Sequence, residues 1–121
     1  MTSTTLRTLV RHEGEVPRER STCGWRDRLI SREDTEVAAW VHAVDIDGAR
    51  EHYHKRSAEL YYVLEGEGRV VLVGVEQVVR KGSLVHIPPG VVAWIGLGKV
   101  GIASEPGDCP GSVGELPDRQ D

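Results

Sequence analysis

Two histidines and one glutamate in the middle of the chain have the types and spacing of metal ligands. His52 and His54 are separated by one residue, and Glu59 follows five residues after His54. Side chains alternate along a β-strand, so a strand through this segment points both imidazoles to the same face. Two imidazoles and a carboxylate on one face suit a divalent cation with open coordination positions, whether Fe, Mn, Ni or Zn. The spacing therefore predicts a metal site of unspecified metal.

The segments that must position these residues are typical of short β-strands joined by tight turns. Apolar, β-branched runs are interrupted by Gly, Pro and Asp, which favour turns; the runs are 36–46, 59–64, 69–73, 75–79, 83–87, 91–95 and 100–104. About ten strands and no convincing helix predict an all-β sandwich or barrel. Along the run 36–46, a period of two places Trp40 and His42 on one face.

The chain of 121 residues has the size of one domain. We predict an N-terminal arm over 1–22 with a short strand near its apolar patch, a barrel over 23–105, and an extended or disordered tail over 106–121. The tail is predicted from its richness in Pro, Gly and acidic residues.

Charge and hydropathy exclude several classes of partner. The formal net charge of −4 argues against a nucleic-acid surface, because no basic excess is present to attract phosphates. The apolar runs are too short to cross a bilayer, and the N-terminal residues lack a signal-peptide core. We therefore expect a cytoplasmic protein in which Cys23 and Cys109 are reduced.

Two blocks of the sequence resemble the motifs of the cupins. His52-x-His54, four residues, Glu59 and six residues to Gly66 resemble the first motif. Gly82-x5-Pro88-x-Gly90 resembles the start of the second, and the two blocks together cover about 47–97. The resemblance implies a single-domain jelly-roll β-barrel whose mouth forms the pocket, with His52, His54 and Glu59 as metal ligands.

The second block departs from the family pattern. The family's fourth ligand is a histidine three residues after the glycine, where this chain has Ala93, and the asparagine four residues further on is Leu97. His42 or His86 could supply the missing imidazole from a neighbouring strand. Each could instead be a hydrogen-bonded residue lining the pocket, and for His86 the lining role is favoured.

Two residues are candidates for moving a proton. Tyr61 shares the face of Glu59 on a regular strand, and a phenol beside a cation can act as a general acid or base. The resemblance allows this role, since some lyases among the cupins use a tyrosine at this place. The alternative is a buried tyrosine with a satisfied hydroxyl; His86 is the second candidate.

Arginines and tryptophans are the candidates for substrate binding. Arg50, Arg26 and Arg28 could hold a carboxylate through their planar guanidinium groups, unless they are solvated or paired with surface acids. Trp40 and Trp94 could line the mouth of the pocket, although core packing is the plainer interpretation for tryptophans on β-rich runs.

The leading hypothesis is a small metal-dependent enzyme acting on a low-molecular-weight organic substrate, as a dioxygenase, isomerase, lyase or cyclase. One alternative is a non-catalytic module that binds a small ligand, which the loss of the fourth histidine favours. Another is a structural role with a vestigial pocket. The resemblance also suggests a homodimer, formed through an N-terminal strand around residues 5–11.

Overall fold

Eleven β-strands form two antiparallel sheets in the computed structural model, which describes residues 8–96, 98–106 and the strand 113–115. The six-stranded sheet has the order β1 (Arg18–Arg20), β2 (Gly24–Ile30), β3 (Trp40–Ile46), β10 (Lys99–Ser104), β5 (Glu59–Glu65) and β8 (Leu84–Ile87). The five-stranded sheet has the order β11 (Val113–Glu115), β4 (His52–His54), β9 (Ala93–Gly96), β6 (Glu67–Leu72) and β7 (Val75–Arg80). Within the described ranges no helix could span a membrane.

The alternation of side chains along the strands places the core between the sheets. In β5, Glu59, Tyr61 and Val63 are buried whereas Leu60 and Tyr62 are exposed, as a period of two requires. The reversal into β6 contains Gly66 at φ +94°, a backbone conformation that favours glycine.

Valines and isoleucines from both sheets fill the apolar part of this space. The residues that are at most 1% exposed include Val44, Val63, Val70, Val71, Ile95 and Val100. Two antiparallel sheets packed on a shared core confirm the predicted cupin-like jelly-roll sandwich. Where the inner faces become polar, near β2, β3 and β4, a cavity opens between the strands.

The described residues at the two ends of the chain include two short strands, β1 in the arm and β11 in the tail. Residues 8–11 are not in a strand, and among the described residues of the arm the strand is β1, at Arg18–Arg20. Residues 5–7, the start of the predicted dimerisation strand, lie outside the described residues, as does Cys109. Within the tail, β11 pairs with β4 and so adds a strand beside the predicted metal ligands.

Candidate metal centre and its cavity

Three residues from two sheets converge on one point. His52 and His54 lie on β4 of the five-stranded sheet, and Glu59 begins β5 of the six-stranded sheet. One ligand atom from each residue can be chosen such that all three atoms lie within 4.8 Å of one another. Two ligands of one cation lie at most about 4.3 Å apart, twice a typical metal–ligand distance. A small adjustment would therefore let all three bind one ion.

Hydrogen bonds orient the imidazoles of this group. Nδ1 of His52 lies 3.0 Å from the carbonyl oxygen of Arg50. Because a carbonyl oxygen only accepts, Nδ1 carries the proton, and Nε2 keeps its lone pair for a cation. On the other imidazole, Nε2 of His54 lies 2.9 Å from Oε1 of Glu59. The donor set of two nitrogens and one carboxylate fits Fe, Mn, Ni or Zn and leaves further coordination positions open.

Tyr61 and Cys23 form a buried pair beside the glutamate. The Tyr61 hydroxyl donates to Oε1 of Glu59 at 3.3 Å and lies 4.0 Å from Sγ of Cys23. Burial, the Cys23 thiol and the Glu59 carboxylate raise the pKa of Tyr61 well above its ordinary value. Burial and the same carboxylate raise the pKa of Cys23 to about 11. Both groups are therefore protonated at neutral pH.

The cavity in front of this group has a volume of about 910 Å³. Its wall includes side chains from β2, β3, β4, β5 and β10 and from the segments that precede β2 and β4. Of the predicted substrate-binding residues, it contains Arg50 and Trp40, and also the arginines Arg26 and Arg28. Cys23 lines the cavity too. No local pattern predicts this position, because burial of Cys23 beside Tyr61 depends on strands that are distant in the chain.

His42 lines the cavity but does not belong to the group of three candidate ligands. Burial, and then the positive charge of Arg26, lower the pKa of His42 to about 4. Its imidazole is therefore neutral at physiological pH. Of its two predicted roles, the structure supports a lining residue.

His86 and Trp94 were expected at the pocket and lie elsewhere. In β8, Val85 and Ile87 are buried and His86 between them is exposed, on the outer face of the six-stranded sheet. Trp94 lies on the outer face of β9, where Nε1 donates to the Ala49 carbonyl at 2.9 Å. Neither residue is among the described residues lining the cavity. Their expected positions are wrong because each side chain points out of the sandwich, so neither can contact a ligand there.

Ala93, the neighbour of Trp94 on β9, does face inward. It is 3% exposed and pairs directly with His52 across the two strands. Opposed residues on antiparallel strands have Cβ atoms about 5 Å apart. A longer side chain at this position would thus extend beside the candidate ligands.

Comparisons with known proteins agree with this architecture. Residues 43–95 match the cupin domain family. Over 38 residues the chain is 45% identical to an uncharacterised protein of Methanocaldococcus jannaschii, a match that spans 31% of this chain and only 30% of that relative.

Two solved structures share the fold across most of the chain. Pac13 of Streptomyces, a nucleoside dehydratase whose structure contains uridine, is 17% identical with a TM-score of 0.79, over 94% of this chain and 95% of Pac13. The polyketide cyclase RemF of Streptomyces resistomycificus is 20% identical with a TM-score of 0.71, over 95% of this chain and 89% of RemF. At these identities the likeness shows the fold alone, which is that of a cupin-like jelly roll.

Proposed function

We propose that this protein is a metal-dependent enzyme of the cupin superfamily that acts on a small organic molecule in the cavity. The observation that carries the proposal is the convergence of His52, His54 and Glu59 within 4.8 Å at the wall of a cavity of about 910 Å³. A bound divalent ion would supply Lewis-acid polarisation of a substrate oxygen.

The surrounding residues define what the protein itself contributes. The Arg50 carbonyl fixes the ring of His52, and Glu59 approaches His54 from the opposite sheet. Tyr61 holds an O–H group against Glu59 at the cavity wall, where a substrate atom that gains negative charge could accept its proton. Among the predicted reaction types, proton-transfer chemistry of the lyase or cyclase kind fits this arrangement best. Pac13 and RemF carry such activities on the same fold.

Metal analysis tests the site directly. We expect near-stoichiometric metal after reconstitution of purified protein with Fe(II), Mn(II), Ni(II) or Zn(II), and loss of that metal in His52→Ala and Glu59→Gln. His86→Ala is the matched control, since His86 is an exposed histidine on the outer face. Absence of metal from the wild-type protein with all four ions, or full retention in both site variants, would refute the proposal.

A non-catalytic binding module is the second candidate. It is favoured by the alanine at position 93, which leaves the candidate site with three protein ligands in the described part of the chain. Mass spectrometry of the purified protein under native conditions would reveal a retained small molecule. Conversion of that molecule by the metal-loaded protein would establish the enzyme; its release unchanged after repeated incubation would establish the binder.

We also propose a homodimer, which the resemblance given above suggests, and a cytoplasmic location, which the apolar runs and the N-terminal residues led us to expect. Light scattering coupled to gel filtration tests the oligomeric state, and a monomer over the micromolar range would refute it.

A further inference from the structure

The charged groups of the cavity wall are mostly guanidinium groups. Among the described residues that line the cavity, five are arginines and two are glutamates, Glu19 and Glu59; the arginines are Arg20, Arg26, Arg28, Arg32 and Arg50. With the histidines neutral, the wall has a formal charge of +3, whereas the whole chain has −4. A cation at the metal site would add to this positive charge. The cavity is therefore an electropositive region in an acidic protein.

A row of residues paired across neighbouring strands leads from Arg28 to Tyr61, which lies beside the candidate metal site. Arg28 pairs with His42 on β3, His42 pairs with Ile102 on β10, and Ile102 pairs with Tyr61 on β5. Three strand spacings of about 4.8 Å separate the backbones at the two ends of this row by about 14 Å. Arg28 and Tyr61 both line the cavity, so one small molecule in it can approach both ends of the row.

The hydrogen-bonding capacity of Arg28 is incompletely used. Its Nη1 donates to Glu33 at 3.0 Å, in a pair whose carboxylate is 62% exposed and which therefore holds the guanidinium weakly. Its Nε is buried and has no hydrogen-bond partner in the described part of the chain; it lies 3.7 Å from Oε1 of Glu19, an ion pair too long for a hydrogen bond. A buried N–H group without a partner is unfavourable until an acceptor arrives.

Arg26, the other arginine on the inner face of β2, differs in this respect. It binds Glu19 through Nε at 2.8 Å and through Nη2 as well. This contact is the largest cause that lowers the pKa of Glu19, to which the charge of Arg28 also contributes without a hydrogen bond. Arg28 is thus the inner-facing arginine of β2 with donors left for a ligand.

We propose that the cavity binds an anionic substrate whose carboxylate or phosphate group is held by Arg28, with its reacting end at the His52–His54–Glu59 site. The placement of the substrate's reacting end at the metal site rests on the proposed function. The binding of its anionic group by Arg28 does not depend on that function. A guanidinium group binds either oxoanion through two parallel hydrogen bonds, a geometry that both chemistries share. Neutral His42, within the row, and the ring of Trp40 provide uncharged cavity wall between the two ends.

The test is isothermal titration calorimetry with inorganic phosphate and with butyrate, on metal-free protein at low ionic strength. We expect binding of at least one probe, weakened about tenfold or more by Arg28→Gln, because a charge-assisted pair of hydrogen bonds is lost. Arg28→Lys should restore part of the affinity, since it keeps the charge but not the planar pair of donors. The probe that binds more tightly identifies the anion as phosphate or carboxylate.

Arg80→Gln is the control, as Arg80 is an exposed arginine on β7, outside the cavity. Binding of neither probe, or equal affinity in the wild type and Arg28→Gln, would overturn the proposal. Circular dichroism tests whether Arg28→Gln keeps the fold. If that fold is lost, the anion affinity of Arg28→Lys provides an independent measurement.

Measuring without metal separates this proposal from the metal site. Metal analysis of the same preparations decides the proposed function by itself. Arg28-dependent anion binding in a protein that binds no metal would leave the anion site standing. Stoichiometric metal without Arg28-dependent anion binding would refute the anion site and leave the proposed metal site unaffected.

Discussion

Replacing Ala93 by histidine should tighten metal binding. Ala93 is buried, faces inward and is paired with His52, so an imidazole at this position extends beside the three candidate ligands. A fourth protein ligand replaces solvent in one coordination position of the ion. We expect the dissociation constant for Zn(II) or Ni(II) to fall at least tenfold, which corresponds to about 1.4 kcal/mol.

The same substitution has a cost in the metal-free protein. Inserting a large side chain at a well-packed position typically destabilises a protein by about 1–3 kcal/mol. Metal binding stabilises both folded proteins, but at the same saturating metal concentration a tenfold lower dissociation constant stabilises Ala93→His by about 1.4 kcal/mol more than wild type. Ala93→His should therefore unfold at a lower temperature than wild type without metal, and the difference should shrink by about 1.4 kcal/mol with it.

Competition titrations with a chromophoric chelator measure the affinity, and thermal unfolding with and without metal measures the offset. Ala93→Leu is the matched control, because it adds comparable bulk without a ligand nitrogen. It should share the metal-free destabilisation and gain no affinity. Equal metal affinity in Ala93→His and Ala93→Leu would refute the inferred position of the site relative to β9.

Three further predictions concern the cavity wall and the strand that borders it. The metal-free protein should lose stability as the pH falls from about 6.5 to about 4, by on the order of 3 kcal/mol, because the unfolded chain protonates His42 before the folded protein does. Urea unfolding of wild type and His42→Gln at pH 7 and pH 4.5 checks this, and an equal loss in both proteins would contradict it. Gly24→Ala should destabilise the fold by about 3 kcal/mol or more, because the added Cβ would lie 2.0 Å from the Asp45 carbonyl oxygen. In the same urea assay Gly74→Ala should lower the free energy of unfolding clearly less, because its added Cβ would meet nothing within 4 Å beyond its chain neighbours. Similar losses in the two variants would rule out the clash as the cause. Cys23 in a Cys109→Ser background should resist iodoacetamide at pH 7.5 until the protein is unfolded, since burial keeps its thiol neutral. Rapid labelling of the native protein, followed by mass spectrometry, would contradict the burial.

The local pattern of the sequence predicted both the strands and the candidate ligands. Strand periodicity put His52 and His54 on one face, and Glu59 and Tyr61 on one face of the next strand, as the structure has them. These relations follow from backbone geometry within a few residues, so they depend little on the rest of the chain.

The same pattern could not decide which face of a strand points inward where both faces are mixed. In β8, Leu84 is 63% exposed while Val85 is buried, although both are apolar. Periodicity therefore left the direction of His86 undetermined, and the predicted pocket position was wrong. The predicted pocket position of Trp94 on β9 is wrong for the same reason, since its apolar neighbours Ala93 and Ile95 occupy the inner face.

The sequence by itself determined a β-rich chain with two imidazoles and a carboxylate at the spacing of a metal site. Only the tertiary structure decided what surrounds them: β2 pairs with β3, which aligns Arg28 with His42, and Cys23 meets Tyr61 across 38 positions of the chain. The physical reason is that alternation is a property of each strand, whereas register and pairing are set by packing between segments that are distant in sequence.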